Sequence, residues 1–263
     1  MDHMTNHSAA DYLAALKAGQ RYLDGLAGPL SGAELRAQSY ASEWSVAQVL
    51  SHLGSGAVIF GDYLERSLAG EDLPGMEEMK PVWDEWNAKT PEDQRTDALE
   101  ASAGYVERLA SLHRDGTEVD LELFGMNMDL AMLARMRLGE AAVHSFDIAV
   151  AFDPSATVAQ DASALLVDTL GQIAGWTGKS DGSGRTVALT TTDPDRHLRL
   201  DLGDSVVLDV GGASADAGAA NLALPAESLI RLVYGRLDAD HTPASVAATG
   251  FDLDELRAVF PGV

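Results

Sequence analysis

Apolar side chains recur at intervals of three and four residues through the first half of the chain, the spacing that lines one face of an α-helix. Ser45 is a plausible N-cap before the second of these segments, and Pro91 opens the third. The fourth is apolar on nearly every side, which is typical of a helix enclosed by others. The pattern predicts an up-and-down four-helix bundle over residues 8–151, with no strand before residue 150. The helical segments are residues 9–26, 45–69, 91–112 and 128–151.

The pattern changes after a polar segment at residues 152–161, which we interpret as a linker. A further helix is expected over residues 158–177, followed by three short segments in which apolar and polar residues alternate, as in strands of a small sheet. Two more helices are expected near the end of the chain. This arrangement predicts an α+β domain at residues 156–263 and a two-domain α+β protein. The strand-like segments are TVALTT, HLRLDL and SVVLDV, and the last helical ones are AESLIRLVYGR and DLDELRAVF.

Composition narrows the possible functions. The 263 residues include 41 acidic and only 18 Lys and Arg side chains, for a net charge of −23, so we expect neither nucleic acid nor anionic membranes as partners. The opening residues contain no apolar run typical of a secretion signal, which favours a cytoplasmic protein. The chain has no cysteine, so any thiol chemistry needs sulfur from a small molecule. We expect a monomer or a weak homodimer.

The fourth predicted helix carries a polar stripe on an otherwise apolar surface. Glu140 and His144 are four residues apart in the segment RLGEAAVHSFDIA and therefore share a face, with Arg137 before them and Asp147 after them. Buried ionisable groups need partners, and one metal ion could serve both side chains. The alternative is an ordinary exposed pair of a carboxylate and a histidine, in which Arg137 also takes part.

His52 is the second candidate metal ligand. It lies at the margin of the apolar face of its helix, and of the seven histidines only His52 and His144 fall inside long amphipathic or buried helices. Two histidines and one carboxylate are the protein ligands of many catalytic zinc sites. Helical bundles are a known place for such sites. The alternative for His52 is a half-exposed residue at the edge of the core.

The motifs resemble a known family. The segment SEWSVAQVLSHLGS, with Trp44 and His52, looks like the signature of the DinB-like superfamily, whose second helix supplies a metal ligand. RLGEAAVHSFDIA is similar to the matching fourth-helix motif of the mycothiol-dependent maleylpyruvate isomerase family. LPAESLIRLVYGRLDAD resembles part of that family's second, α+β domain. The resemblance covers nearly the whole chain.

The resemblance implies a metal site, a thiol cofactor and further site residues. It implies that His52, Glu140 and His144 bind zinc, or another divalent metal such as nickel. Asp147 is implied as a nearby carboxylate that supports the ligands, and Arg236 as a residue that reaches the cleft between the domains. Both are therefore candidate catalytic residues, and Arg236 is also the candidate for binding the thiol.

The expected function is a zinc-dependent isomerase or thiol S-transferase that uses mycothiol on small electrophiles. The alternatives are a hydrolase that uses zinc-bound water and a non-catalytic ligand-binding protein with a structural metal. Arg66 and Arg137 are candidates, by their chemistry alone, for binding a substrate carboxylate. Three tryptophans are expected to pack rather than to touch substrate: Trp44, Trp83 and Trp86.

Overall fold

The computed structural model describes residues 7–123, 125–211 and 220–262. The chain divides into two compact units, one formed by Ser8–Ala156 and the other by Thr157–Val263 together with His7. The division into domains at residues 8–151 and 156–263 stays a prediction. An α+β protein with a helical N-terminal part and a C-terminal sheet is confirmed.

The N-terminal unit is a bundle of four long helices with two shorter ones in their connections. Helix α1 packs against α5 and α6, and α3 packs against the same two helices. The short helix α4 was not foreseen in the sequence, and it packs on α3. The bounds are α1 Ala9–Ala27, α2 Gly32–Leu35, α3 Val46–Ala69, α4 Met76–Ala88, α5 Pro91–Asp115 and α6 Leu130–Ala149.

Close packing between α3, α4 and α5 depends on a glycine. Trp86 of α4 is buried in the core cluster, and a Cβ added at Gly54 of α3 would lie 2.2 Å from its ring and 2.9 Å from the backbone of Ala98. Neither the indole nor the α5 backbone can move aside cheaply, so only glycine fits there. Trp86 therefore packs inside the bundle, while Trp83 is half-buried.

The expectation that no strand precedes residue 150 was wrong. Strands β1 (Leu121–Leu123) and β2 (Met126–Met128) form an antiparallel hairpin between α5 and α6. Gly125, at φ +72°, turns the chain between them, a conformation that favours glycine. Leu121 and Met128 are buried, which anchors the hairpin. Each of these strands has only three residues, too few for an alternation of apolar and polar side chains to be recognised in the sequence.

The C-terminal unit is a five-stranded sheet covered by helices. The strand order is β5-β4-β3-β6-β7, in which β3 and β6 pair in parallel and the other neighbours are antiparallel. Helices α8 and α9 pack against strands of the sheet. The strands are β3 Arg185–Thr192, β4 Arg196–Leu202, β5 Val206–Val210, β6 Ala220–Pro225 and β7 Ala247–Thr249. The helices are α7 Gln160–Leu166, α8 Leu170–Thr177, α9 Ala226–Val233 and α10 Leu253–Val259.

Two details of this unit differ from the sequence expectation. The helix expected over residues 158–177 is divided into α7 and α8 by a 3-10 turn at Val167–Thr169. The sheet also has two more strands, β6 and β7, than the three expected. Among the described residues, no helix combines the length and apolar character needed to cross a bilayer.

Candidate metal centre

Two helix starts fix the position of the candidate ligands. Ser45 caps α3 by accepting a hydrogen bond from the Gln48 backbone N–H, and the Gln48 side chain bonds back to the Ser45 backbone. This capping box sets where α3 begins and so where His52 lies, two turns later. Asp129 caps α6 by accepting from the Met132 backbone N–H.

The structure brings His52, Glu140 and His144 together at the α3–α6 contact. The Nε2 atom of His52 is 3.0 Å from Oε2 of Glu140, and Nε2 of His144 is 3.6 Å from the same oxygen. One ligand atom from each residue lies within 4.8 Å of the other two. It is the one group of three or more potential metal-binding side chains found in the described ranges.

Asp147 orients the most buried of the three. Its carboxylate is fully buried, and Oδ2 lies 2.9 Å from Nδ1 of His144. With a proton on Nδ1 donated to this carboxylate, Nε2 is the ring atom left for the metal, an arrangement common around metal-bound histidines. The backbone carbonyl of Asp147 accepts a hydrogen bond from the Tyr40 N–H, which ties the end of α6 to the loop before α3.

The hydrogen bonds within the cluster favour the ionised forms of Glu140 and His144. Burial opposes ionisation of Glu140, but hydrogen bonds from His144 and His52 outweigh it and hold the carboxyl pKa well below its usual range. Burial also disfavours the charged form of His144, yet the bonds to Asp147 and Glu140 raise its pKa to about 9. Without metal, His144 thus carries a proton that a bound metal ion would displace.

The cluster has one buried and one accessible side. The His144 side chain is 9% exposed, whereas those of His52 and Glu140 are 38% and 46% exposed. Although protein atoms crowd Glu140 enough to disfavour its charge, solvent still reaches it. Small molecules could therefore approach the ligand atoms from the side of His52 and Glu140.

Trp44 packs against both candidate histidines. Its ring centroid lies 5.1 Å from that of His52 and 6.2 Å from that of His144, and the two imidazoles are 4.7 Å apart. The Trp44 carbonyl accepts hydrogen bonds from the Ser39 backbone and side chain and from the Gln38 side chain, which fixes the loop. Sequence reasoning named Trp44 as a packing residue and missed this contact with the site. The sequence feature that could have indicated this contact is the position of Trp44, eight residues before His52.

The three side chains fit a divalent metal such as zinc. In a tetrahedral zinc site with nitrogen and oxygen ligands, neighbouring ligand atoms are about 3.3 Å apart, as follows from bond lengths of roughly 2.0–2.2 Å. The two distances to Glu140, 3.0 and 3.6 Å, bracket that value. Three protein ligands with an accessible side resemble the open coordination of catalytic sites rather than the closed one of structural sites.

The candidate cations lie in three different settings. Arg66 forms ion pairs with Asp62 and Glu78 and lies about 21 Å along α3 from His52, too far to share its site. Arg137 is buried in the bundle one turn before Glu140. Arg236 belongs to the other unit, where it is buried and donates from Nη1 to the Tyr234 carbonyl. Its predicted role stays a prediction.

Comparison with known proteins agrees with this fold. Residues 16–149 match the family described as the mycothiol maleylpyruvate isomerase N-terminal domain, about half of the chain. The chain belongs to this family, which confirms the resemblance seen in the sequence. No curated protein matches the chain.

Two solved structures have a similar fold. One is the crystal structure of the mycothiol-dependent maleylpyruvate isomerase, and the other is that of a histidine-to-alanine mutant of that isomerase. Each aligns with a TM-score of 0.65 at 15% sequence identity, covering 95% of this chain and 96% of the other. The similarity thus extends over both units of the chain.

Proposed function

We propose that this protein is a zinc-dependent enzyme that uses mycothiol to act on small electrophiles, as an isomerase or a thiol S-transferase. The observation that carries the proposal is the convergence of His52, Glu140 and His144 on one point, with Asp147 behind His144. Membership of the mycothiol maleylpyruvate isomerase family supports the choice of thiol and reaction. The expected setting is the cytoplasm, and the expected state is a monomer or weak homodimer.

The absence of cysteine sets what the chain must bind. A divalent metal at this site would favour the deprotonated form of a thiol. With no sulfur nucleophile in the chain, that thiol has to come from solution. The half-exposed His52 and Glu140 leave the entry side open, and the buried Asp147 keeps His144 in one tautomer. Addition of the thiol to a double bond, rotation and elimination would give isomerisation, while addition alone would give a conjugate.

We further propose that Arg236 binds the thiol or the substrate. Its guanidinium is almost fully buried, and the Nη1 bond to the Tyr234 carbonyl holds it in place. A guanidinium recognises carboxylates and hydroxyl groups through several parallel N–H donors.

The metal assignment is tested by elemental analysis of His144→Ala beside the matched control His113→Ala. His113 lies in the last turn of α5 and is exposed, so its loss should leave the metal untouched. The purified protein should hold about one divalent ion per chain, and His144→Ala should lose most of it while keeping its helical circular dichroism. Nickel can replace zinc after nickel affinity purification, since such sites follow the usual affinity order. Full metal content in His144→Ala would overturn the ligand assignment.

The thiol dependence is tested by turnover with and without mycothiol. Electrophilic unsaturated acids should react only when both metal and thiol are present. Hydrolysis of esters or amides without thiol would instead identify a metal-dependent hydrolase. Tight ligand binding without turnover of either kind would identify a binding protein with a structural metal.

A further inference from the structure

The two candidate histidine ligands differ in how their rings are held. Nδ1 of His144 lies 2.9 Å from Oδ2 of Asp147, so a buried carboxylate fixes the orientation of that ring. Among the residues that the structure describes, the ring of His52 forms a hydrogen bond only with Glu140, which is itself a candidate ligand. The His52 side chain is 38% exposed, whereas that of His144 is 9% exposed. A half-exposed imidazole of this kind turns away from the site easily unless another contact holds it.

The indole ring of Trp44 supplies such a contact. Its centroid lies 5.1 Å from that of the His52 ring, at an interplanar angle of 38°, and the His144 ring lies 4.7 Å from His52. Aromatic rings at these distances attract each other by more than the surface that they bury. Of these two ring neighbours of His52, Trp44 is the one that would not bind the metal, so it is the one that can hold the imidazole from outside the ligand set.

Hydrogen bonds and packing keep Trp44 itself in place. Its carbonyl accepts from the Ser39 backbone and hydroxyl and from the Gln38 side chain, and its own backbone N–H donates to the Ala41 carbonyl at 2.9 Å. The side chain is half-buried and packs against a core cluster of the bundle. The loop before α3 therefore presents the indole to the site as a fixed surface, against which the more exposed His52 rests.

The simpler role for Trp44 is to stabilise the start of α3. Trp44 immediately precedes the N-cap Ser45, a position from which an apolar residue often packs back on the first turn of the helix. That role explains the packing on the core cluster, but it does not explain the contact with His52, which lies two turns into α3. The two roles are separable, because one acts on the stability of the fold and the other on the ring of His52.

We propose that Trp44 is the positioning residue for His52, and that ring contact keeps Nε2 of this histidine directed at Glu140, as the hydrogen bond from Asp147 fixes His144. A ligand side chain that is held in place before the metal arrives loses less conformational freedom on binding, so metal affinity rises. The inference rests on the proposed function only for the metal, because the orientation of the His52 ring is a property of the metal-free chain.

Nuclear magnetic resonance of the metal-free protein tests the orientation directly. The order parameter of the His52 ring, from relaxation of its ring carbons, should be high in wild type and in Trp44→Phe, which keeps an aromatic ring. In Trp44→Leu it should fall, because leucine fills space without a ring contact. The order parameter of the His144 ring should stay high in all three proteins, since Asp147 still fixes it. Equal order of the His52 ring in wild type and Trp44→Leu would overturn the proposal.

Cobalt titration in competition with a chelator measures the consequence for metal binding. Trp44→Leu should bind Co²⁺ about two- to tenfold more weakly than wild type, the size of one aromatic pair, and with a changed visible spectrum. Trp44→Phe should restore most of the affinity and the wild-type spectrum. In a His52→Ala background there is no imidazole to hold, so adding Trp44→Leu should change the affinity no further. Equal losses of affinity in both backgrounds would overturn the proposal.

Two control variants separate ring contact from helix stability. Ser45→Ala removes the cap of α3, so it should lower the melting temperature but leave the order of the His52 ring and the cobalt spectrum unchanged. Trp176→Leu makes the same substitution at an exposed tryptophan and should change neither measurement.

A lower melting temperature of Trp44→Leu, with unchanged ring order and cobalt affinity, would reduce Trp44 to a residue that stabilises the start of α3 and would overturn the proposal. A wild-type protein that binds no cobalt would overturn the metal assignment of the proposed function. The order of the His52 ring in the metal-free protein would still decide the role of Trp44, so the two failures are distinguishable.

Discussion

The two units of the chain treat their buried polar groups differently. In the C-terminal unit, Arg231 is 2% exposed and bonds both oxygens of Glu227, and the buried Asp168 bonds both Arg196 and His7. In the bundle, the buried Arg137 donates its printed hydrogen bonds to neutral acceptors, the Leu53 carbonyl and Oγ of Ser102, and the charge of Glu140 acts on it without a direct ion pair.

The bundle also contains polar groups whose arrangement does not serve to stabilise the fold. Tyr105 has a hydroxyl without a described partner, and three ligand atoms converge on one point. A buried group that is satisfied by its neighbours stabilises the fold, whereas one left unsatisfied is a candidate for ligand binding. The converging ligand atoms therefore place the candidate metal chemistry in the bundle.

The largest effect on stability is expected from breaking a buried ion pair. Arg231→Met leaves the mostly buried Glu227 without its cation, so the free energy of unfolding should fall by about 3–5 kcal/mol. Urea denaturation of the variant measures this, and elemental analysis of the same sample should find unchanged metal.

The control for this change is Arg108→Met, which removes an exposed arginine paired with Glu65. An exposed pair contributes about 0–1 kcal/mol, so that variant should be nearly as stable as wild type. Equal stability of the two variants would contradict the distinction between satisfied buried pairs and surface pairs.

Arg236 tests the comparison in the C-terminal unit, because it is buried there beside the ion pairs of Arg231 and Asp168. If it binds thiol or substrate, Arg236→Ala should weaken that binding by about ten- to a hundredfold, corresponding to 1.5–3 kcal/mol for a charged hydrogen bond. Steady-state kinetics with varied mycothiol measure the loss, and zinc content should not change. A variant that is destabilised but kinetically normal would place Arg236 with Arg231 as a structural residue.

A smaller effect is expected from the residue behind the metal ligand. Asp147→Asn keeps the shape of the side chain but weakens the hydrogen bond to Nδ1 of His144, so metal affinity should fall by about tenfold, up to a hundredfold. Competition with a coloured chelator measures the affinity. Rescue of the metal content by excess zinc would identify Asp147 as a positioning residue, and affinity equal to wild type would remove it from the site.

The sequence alone determined what depends on neighbours along the chain. Glu140 and His144 share a face because they are four residues apart on a helix, and Ser45 marks the start of α3 because its side chain can cap a free backbone N–H. Both features are set within one or two helical turns, so they are readable without a tertiary structure. The resemblance that the same segments carry supplied the expected metal and thiol.

The tertiary structure decided which helices are neighbours and in what register. Only the packing of α3 on α6 brings His52 to Glu140, and only α5 places Ser102 and Tyr105 beside Arg137. Those pairings follow from how whole apolar faces fit together, a property of contacts between residues far apart in sequence. The short strands were missed for a related reason. The three residues of β1 or β7 carry too little periodicity of their own, and their partners across the sheet hold them in place.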